Sequence, residues 1–117
     1  MKITSRLLVL FALCTASSLH AADGAALWKK SCAKCHGADG RGDTRQGRKL
    51  YISDLSDPAI QAKFTDEQAA KSIKTGLKDA KGRDIMHGFR RLSDDQVTLL
   101  VAHVRSLKRA DAQSAHP

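Results

Sequence analysis

Aromatic side chains are scarce: one tryptophan, one tyrosine and three phenylalanines make up 4% of 117 residues. Helices cannot build a large core from so few big side chains, so the core is modest or is filled by something other than side chains. Cysteine is scarce too. Of three cysteines, Cys14 lies in an amino-terminal apolar run, which leaves Cys32 and Cys35 for the body of the protein. A disulfide between cysteines only two residues apart is strained, so no disulfide framework holds this chain. No segment repeats and none is of low complexity, as one small domain requires. Acids are outnumbered, twelve against twenty lysines and arginines, for a net charge of +8. Neither a basic helix stripe nor interleaved aromatics accompany that excess, which argues against nucleic-acid binding.

The first residues have their own pattern. Met1 to Arg6 carry basic charge, Leu7 to Cys14 are apolar, and small residues follow up to Ala21-Ala22. This is the layout of a secretory signal over residues 1–22, with cleavage expected after Ala21 or Ala22. The apolar run is too short to span a bilayer comfortably, and Leu13 before Cys14 makes a poor lipidation box. Export to the periplasm is the expectation. The domain would then cover residues 23–110, with a polar tail at 111–117. Loss of Lys2 and Arg6 lowers the charge from +8 to +6.

Cys32-Ala33-Lys34-Cys35-His36 carries the chemistry. Two thiols two residues apart, with an imidazole directly after the second, form the CxxCH pattern of covalent c-type haem attachment. On one helical turn the two sulfurs face the same way and can each add to one porphyrin vinyl group, while His36 is carried under the ring as proximal ligand of the iron. A thioredoxin-like redox pair would follow a strand, and none precedes Cys32. A zinc site would need a second CxxC or an HxxxH, and neither is present. With no second CxxCH, one haem is expected, and its flat apolar body would supply the core that the side chains do not.

The remaining chain reads as helices and loops. Residues 23–32 predict a helix capped by Asp23, with Ala25, Trp28 and Cys32 on its inward face. Gly37 to Asp43 is a glycine-punctuated turn; it has no GK[ST] ending and so does not cradle phosphate. Residues 44–56 are polar and irregular, able to wrap the proximal side of a haem, with Leu50, Tyr51, Ile52 and Leu55 as core contacts. Arg45, Arg48, Lys49 and Tyr51 are candidate propionate partners. Asp57-Pro58 opens a short helix to Ala62. Thr65 and Gln68 form a capping box for a second helix, ended by Gly76. Ser93 and Gln96 form another, and Val97, Leu100, Val101, Val104 and Leu107 give the last helix, to about Lys108, one apolar stripe.

The loop 76–88 holds Met86, the only methionine besides the initiator. A thioether is a soft ligand favouring ferrous iron, and Met/His ligation raises a cytochrome's potential. Given a haem at Cys32 to His36, Met86 is the candidate distal ligand, with His87 as its rival.

Taken together, the helix Gly24-Ala25-Ala26-Leu27-Trp28, the stretch Cys32 to Gly40, the loop Ile85-Met86-His87-Gly88-Phe89 and the ending from Leu92 to Leu107 resemble a small soluble class I cytochrome c of the bacterial monohaem type. The resemblance implies an all-α cytochrome c fold, about four helices around one covalently attached haem c. First and last helices cross at Gly24 and Trp28. The implied function is one-electron carriage between respiratory oxidoreductases with acidic docking surfaces, with no enzymatic step. A haem-based gas sensor or peroxidase-like protein with a labile sixth ligand, and a thioredoxin-like dithiol oxidoreductase, are the alternatives. Three positions depart from the family. His87 stands where a proline usually follows the ligand Met. His103 stands where the last helix usually has an aromatic, as its packing substitute. Gly47-Arg48-Lys49 replaces the region of a proline whose neighbouring carbonyl accepts the haem histidine's N–H, so another carbonyl is expected to serve.

Overall fold

The computed structural model describes residues 15–109. Cys14 and everything before it lie outside the described residues, as does the tail 111–117. Six helical segments follow one another: α1 (Thr15–Ser31), α2 (Ala33–His36), α3 (Arg45–Leu50), α4 (Pro58–Gln61), α5 (Asp66–Thr75) and α6 (Asp94–Ser106). Between α5 and α6 a two-stranded antiparallel hairpin pairs β1 (Gly76–Lys78) with β2 (Asp84–His87). The fold is the expected all-α one, with two segments more than the expected four: α2, a single turn, and α3.

The caps form where the residue types call for them. Thr65 accepts from the Gln68 amide while the Gln68 side chain accepts from the Thr65 amide, and Ser93 and Gln96 do the same. Asp57 accepts from the Ala59 amide ahead of Pro58 at the first helical positions. Each box satisfies two amides that the first helical turn leaves without partners. The last helix stops at Ser106, two residues short of the expected Lys108, with Leu107 as its cap.

The core is Trp28, Cys32, Ile73, Val97, Leu100, Val101 and Val104. Four of these form the apolar stripe of α6, which lies across α1. At the crossing Gly24 lets the backbones meet: a Cβ there would sit 2.9 Å from the Leu99 carbonyl oxygen. One turn on, the Trp28 indole packs on the His103 ring, centroids 5.3 Å apart. His103 thus fills the aromatic's place at the crossing. Its ring is only partly covered, but Nε2 is sealed from solvent without a partner among the described residues, and burial holds its pKa below 6.5. The folded protein therefore resists the proton that the unfolded chain accepts, so stability is full above about pH 6.5 and is lost as pH falls through the lowered folded value. In chemical denaturation, the wild-type midpoint is expected to drop between pH 7.5 and 5, and His103→Phe to flatten that drop; an unchanged slope would contradict it.

Three expectations are corrected here. Asp23 is not an N-cap: α1 runs through it from Thr15, because neither glycine nor proline interrupts residues 15–23. The expected cleavage point lies within this helix. Residues 44–56 are not irregular throughout, since α3 forms with Thr44 as N-cap, its hydroxyl accepting from the Gly47 amide at 2.8 Å. Tyr51 is not a core contact: it ends α3 in the left-handed region and is 93% exposed, beside a half-exposed Leu50.

Candidate functional site

A cavity of about 590 Å³ opens beside the core, lined by Trp28, Cys32, His36, Leu55, Phe64, Met86, Leu100 and Val104 together with one face of α5. Its wall is mostly apolar. Three of the four expected site residues meet there. Cys35, half-buried, is not in the lining, although it adjoins His36 on the same turn.

Local bonding fixes that turn from every side. The Cys32 amide closes on the Trp28 carbonyl at 2.8 Å and the His36 amide on the Cys32 carbonyl at 3.0 Å, continuing the direction of α1. The Trp28 indole N–H donates to the Gly37 carbonyl at 3.0 Å, and the Gly42 amide to the His36 carbonyl at 2.7 Å. From α3, the Thr44 hydroxyl donates to the Cys35 carbonyl at 2.7 Å. Gly47 permits this approach: a Cβ there would lie 2.0 Å from the Gly42 carbonyl oxygen and 2.7 Å from that of Cys35. The segment 44–50 thus backs the cysteine turn through the Thr44 hydroxyl and the close approach of Gly47. None of Arg45, Arg48, Lys49 and Tyr51 lines the cavity.

The titratable groups are set by burial. Desolvation, and secondarily the Cys35 thiol, push the Cys32 thiol up to about 11. Burial lowers the His36 pKa and keeps the imidazole neutral, the form that can donate a lone pair to a metal. Its Nδ1 is sealed from solvent and has no hydrogen-bond partner among the described residues. The expected substitute carbonyl is therefore not supplied; the adjacent Gly37 carbonyl is taken by Trp28. With Nδ1 turned into the protein, Nε2 is the ring nitrogen open to the cavity.

The hairpin turns Met86 and His87 to different surroundings. Strand neighbours point to opposite faces. Met86, opposite Leu77, lines the cavity, whereas His87, opposite Gly76, is exposed and stacks on Phe89 at 4.8 Å. The strand is held without proline. A Cβ on Gly76 would lie 2.4 Å from the Met86 carbonyl oxygen, one on Gly88 2.5 Å from that of Lys74, and the Phe89 amide donates to the Ile73 carbonyl at 2.8 Å. Backbone-to-backbone packing against the end of α5 replaces the stiffness a proline would give.

Sequence reasoning missed part of the wall. Gln68, Lys71, Ser72 and Thr75 of α5, with Lys63 just before it, also line the cavity. Their spacings of three and four were a signal, masked because only the apolar positions of α5 were weighed.

A porphyrin fits these residues: the space is apolar, a buried neutral imidazole and a thioether share it, and a thiol stands in its wall. Comparisons with known proteins agree. A family model described as Cytochrome c matches residues 21–108. Among solved structures, the chain is similar to the KustC0563 c-type cytochrome, with 33% identity over 74% of this chain and 99% of that one and a TM-score of 0.66. A tyrosine-to-phenylalanine variant of that protein matches with the same identity and coverage and a TM-score of 0.63. No curated relative matches the chain.

Proposed function

From the premise that this chain belongs to the cytochrome c family, we propose that it is a periplasmic one-electron carrier, not an enzyme, with Cys32 and Cys35 bonded to haem and His36 and Met86 as its axial ligands. The family is one of electron-carrying proteins with covalently bound haem c, one per domain. Bound haem supplies an iron that takes up and gives back one electron.

The protein's part is to hold and insulate. Cys32 and Cys35 would bond the macrocycle to the turn that Thr44, Gly42 and Trp28 fix, a support that moves little. Neutral His36 and Met86, which share the cavity, would both hold the iron, in competition with peroxide or a gas. Leu55, Phe64, Leu100 and Val104 exclude water, and the soft sulfur favours the reduced form. Lys63 and Lys71, in the wall of the cavity, would steer an acidic redox partner to its mouth, raising the encounter rate more than the final affinity. Membrane or periplasmic oxidoreductases are the partners that fit.

The single observation that carries this reading is His36 and Met86 in one apolar cavity. Mass spectrometry of protein matured in a host competent for haem attachment tests it. One haem retained under denaturing conditions, lost as a covalent adduct in the Cys32→Ser, Cys35→Ser double variant, is expected; a haem-free intact chain would contradict the reading.

A further inference from the structure

We propose that α3 and the tyrosine that ends it form a second docking surface, apart from the cavity mouth, for an acidic redox protein presenting carboxylates around an apolar recess. The proposal rests on the electron-carrier reading above and concerns residues that reading leaves unused.

The end of α3 is built for a glycine and holds a tyrosine. The Ile52 amide donates to the Gly47 carbonyl at 3.0 Å and the Tyr51 amide to the Arg48 carbonyl at 3.4 Å, the bond pair of a Schellman motif. Tyr51 takes the left-handed position with φ 53° and ψ 44°, the only non-glycine residue at positive φ among those described. A side chain with a Cβ is strained there, and glycine is not. Nothing within the fold offsets that strain: the ring is 93% exposed and takes part in no stacking or side-chain hydrogen bond among the described residues. Backbone strain maintained without an internal benefit points to a use outside the fold.

The surroundings indicate the occupant. Arg45 and Lys49 on α3, and Lys34 on the neighbouring α2, are exposed and have no acidic partner among the described residues, while Arg48 pairs with Asp43. Leu50, next in the chain and 36% exposed, adds apolar surface. An exposed tyrosine among cations, with an aliphatic neighbour, has the composition of an interface anchor. Its complement is a carboxylate rim around an apolar recess.

The position gives the surface a purpose. α3 lies on the cysteine turn, with Gly47 against the Cys35 carbonyl and the Thr44 hydroxyl bonded to it. A protein docked on α3 would sit behind Cys35, and because none of residues 45–52 lines the cavity, it would leave the mouth free. Donor and acceptor could then bind together.

The test uses nitrogen-labelled haem-loaded protein titrated with an acetylated Glu-Glu-Leu-Glu-Glu peptide, following amide shifts. Saturable shifts over residues 45–52 that weaken with added salt are expected. Tyr51→Gly is expected to weaken this binding about fivefold or more while raising the melting temperature, since glycine takes the left-handed position freely. Arg45→Glu with Lys49→Glu is expected to abolish it. Shifts confined to Lys63, Lys71 and the hairpin, wild-type affinity in Tyr51→Gly, or a lower melting temperature in that variant would each overturn the proposal. The haem adduct is weighed in the same samples, so failure of the carrier reading registers separately.

Discussion

Met86→Ala is expected to keep its covalent haem, lose the far-red sulfur-to-iron absorption band of the oxidised protein, and drop in reduction potential by about 0.1–0.3 V, a fraction of the roughly 0.8 V that axial ligation spans. The reasoning starts from the hairpin. Met86 faces the cavity because it is one residue out of phase with His87, and β2 cannot slip to exchange them: Gly76 and Gly88 lock the strand to the end of α5 at contact distances no side chain would permit. His87→Ala is therefore expected to retain both band and potential to within a few tens of millivolts, on the same order-of-magnitude scale. Loss of the band in His87→Ala and its survival in Met86→Ala would reverse the ligand assignment.

Arg105→Met is expected to destabilise the protein by about 2–4 kcal/mol, lowering the melting temperature by roughly 10–20 °C for a domain of this size. The guanidinium ties three segments together. Its Nη1 donates to the Gln61 carbonyl at 2.7 Å and to Gln61 Oε1 at 2.8 Å, Nη2 to the Phe64 carbonyl at 2.8 Å, and Nε to Asp66 at 2.7 Å. It also lies 4.5 Å over the Phe64 ring. Gln61, itself buried, passes the connection on by donating to the Leu55 and Val104 carbonyls, both at 2.7 Å. Methionine would leave the Gln61 and Phe64 carbonyls short of donors where water reaches poorly, and Leu55 and Phe64, which line the cavity, would lose their support. The surface-exposed pair of Arg83 with Asp79 is the control, worth well under about 1 kcal/mol. A change of less than about 0.5 kcal/mol in Arg105→Met would show the network to be an ordinary surface feature.

What the sequence reveals about this fold follows from how local each signal is. The two capping boxes and the stripe of α6 are readable because residues three and four apart decide them. CxxCH is readable because its chemistry is written within five residues. The helix α3 is not: Arg45-Gln46-Gly47-Arg48-Lys49-Leu50 has no apolar face, and forms through the Thr44 cap and the fit of Gly47 against a turn many positions back. The hairpin is missed for a related reason. Its strands are short, charged and flanked by glycine, and they pair because α5 delivers Gly76 beside Met86. Met86 is the candidate over His87 from the sequence alone; what no periodicity announced is the strand whose pleat turns Met86 to the cavity and His87 away from it. Cavity-lining Ser72 and Lys71 likewise depended on knowing which face of α5 turns inward.

The helix crossing is the instructive middle case. Gly24, Trp28 and His103 were expected to meet, and they do, but the bond from the Trp28 indole to the Gly37 carbonyl was not foreseen. His36 Nδ1, for its part, is sealed without an acceptor among the described residues. An imidazole whose N–H has no acceptor is a weaker electron donor to a metal than one hydrogen-bonded to a carbonyl, and the proposed Met86 ligand would act in the same direction.

Proton magnetic resonance of the reduced, haem-loaded protein tests the central claim most directly. With Met86 held over the porphyrin, its methyl and side-chain protons are expected far upfield of the ordinary protein range, and selective labelling of the methionine methyl is expected to assign that signal to residue 86. A reduced protein with no such upfield methyl would contradict the placement of its iron between His36 and Met86.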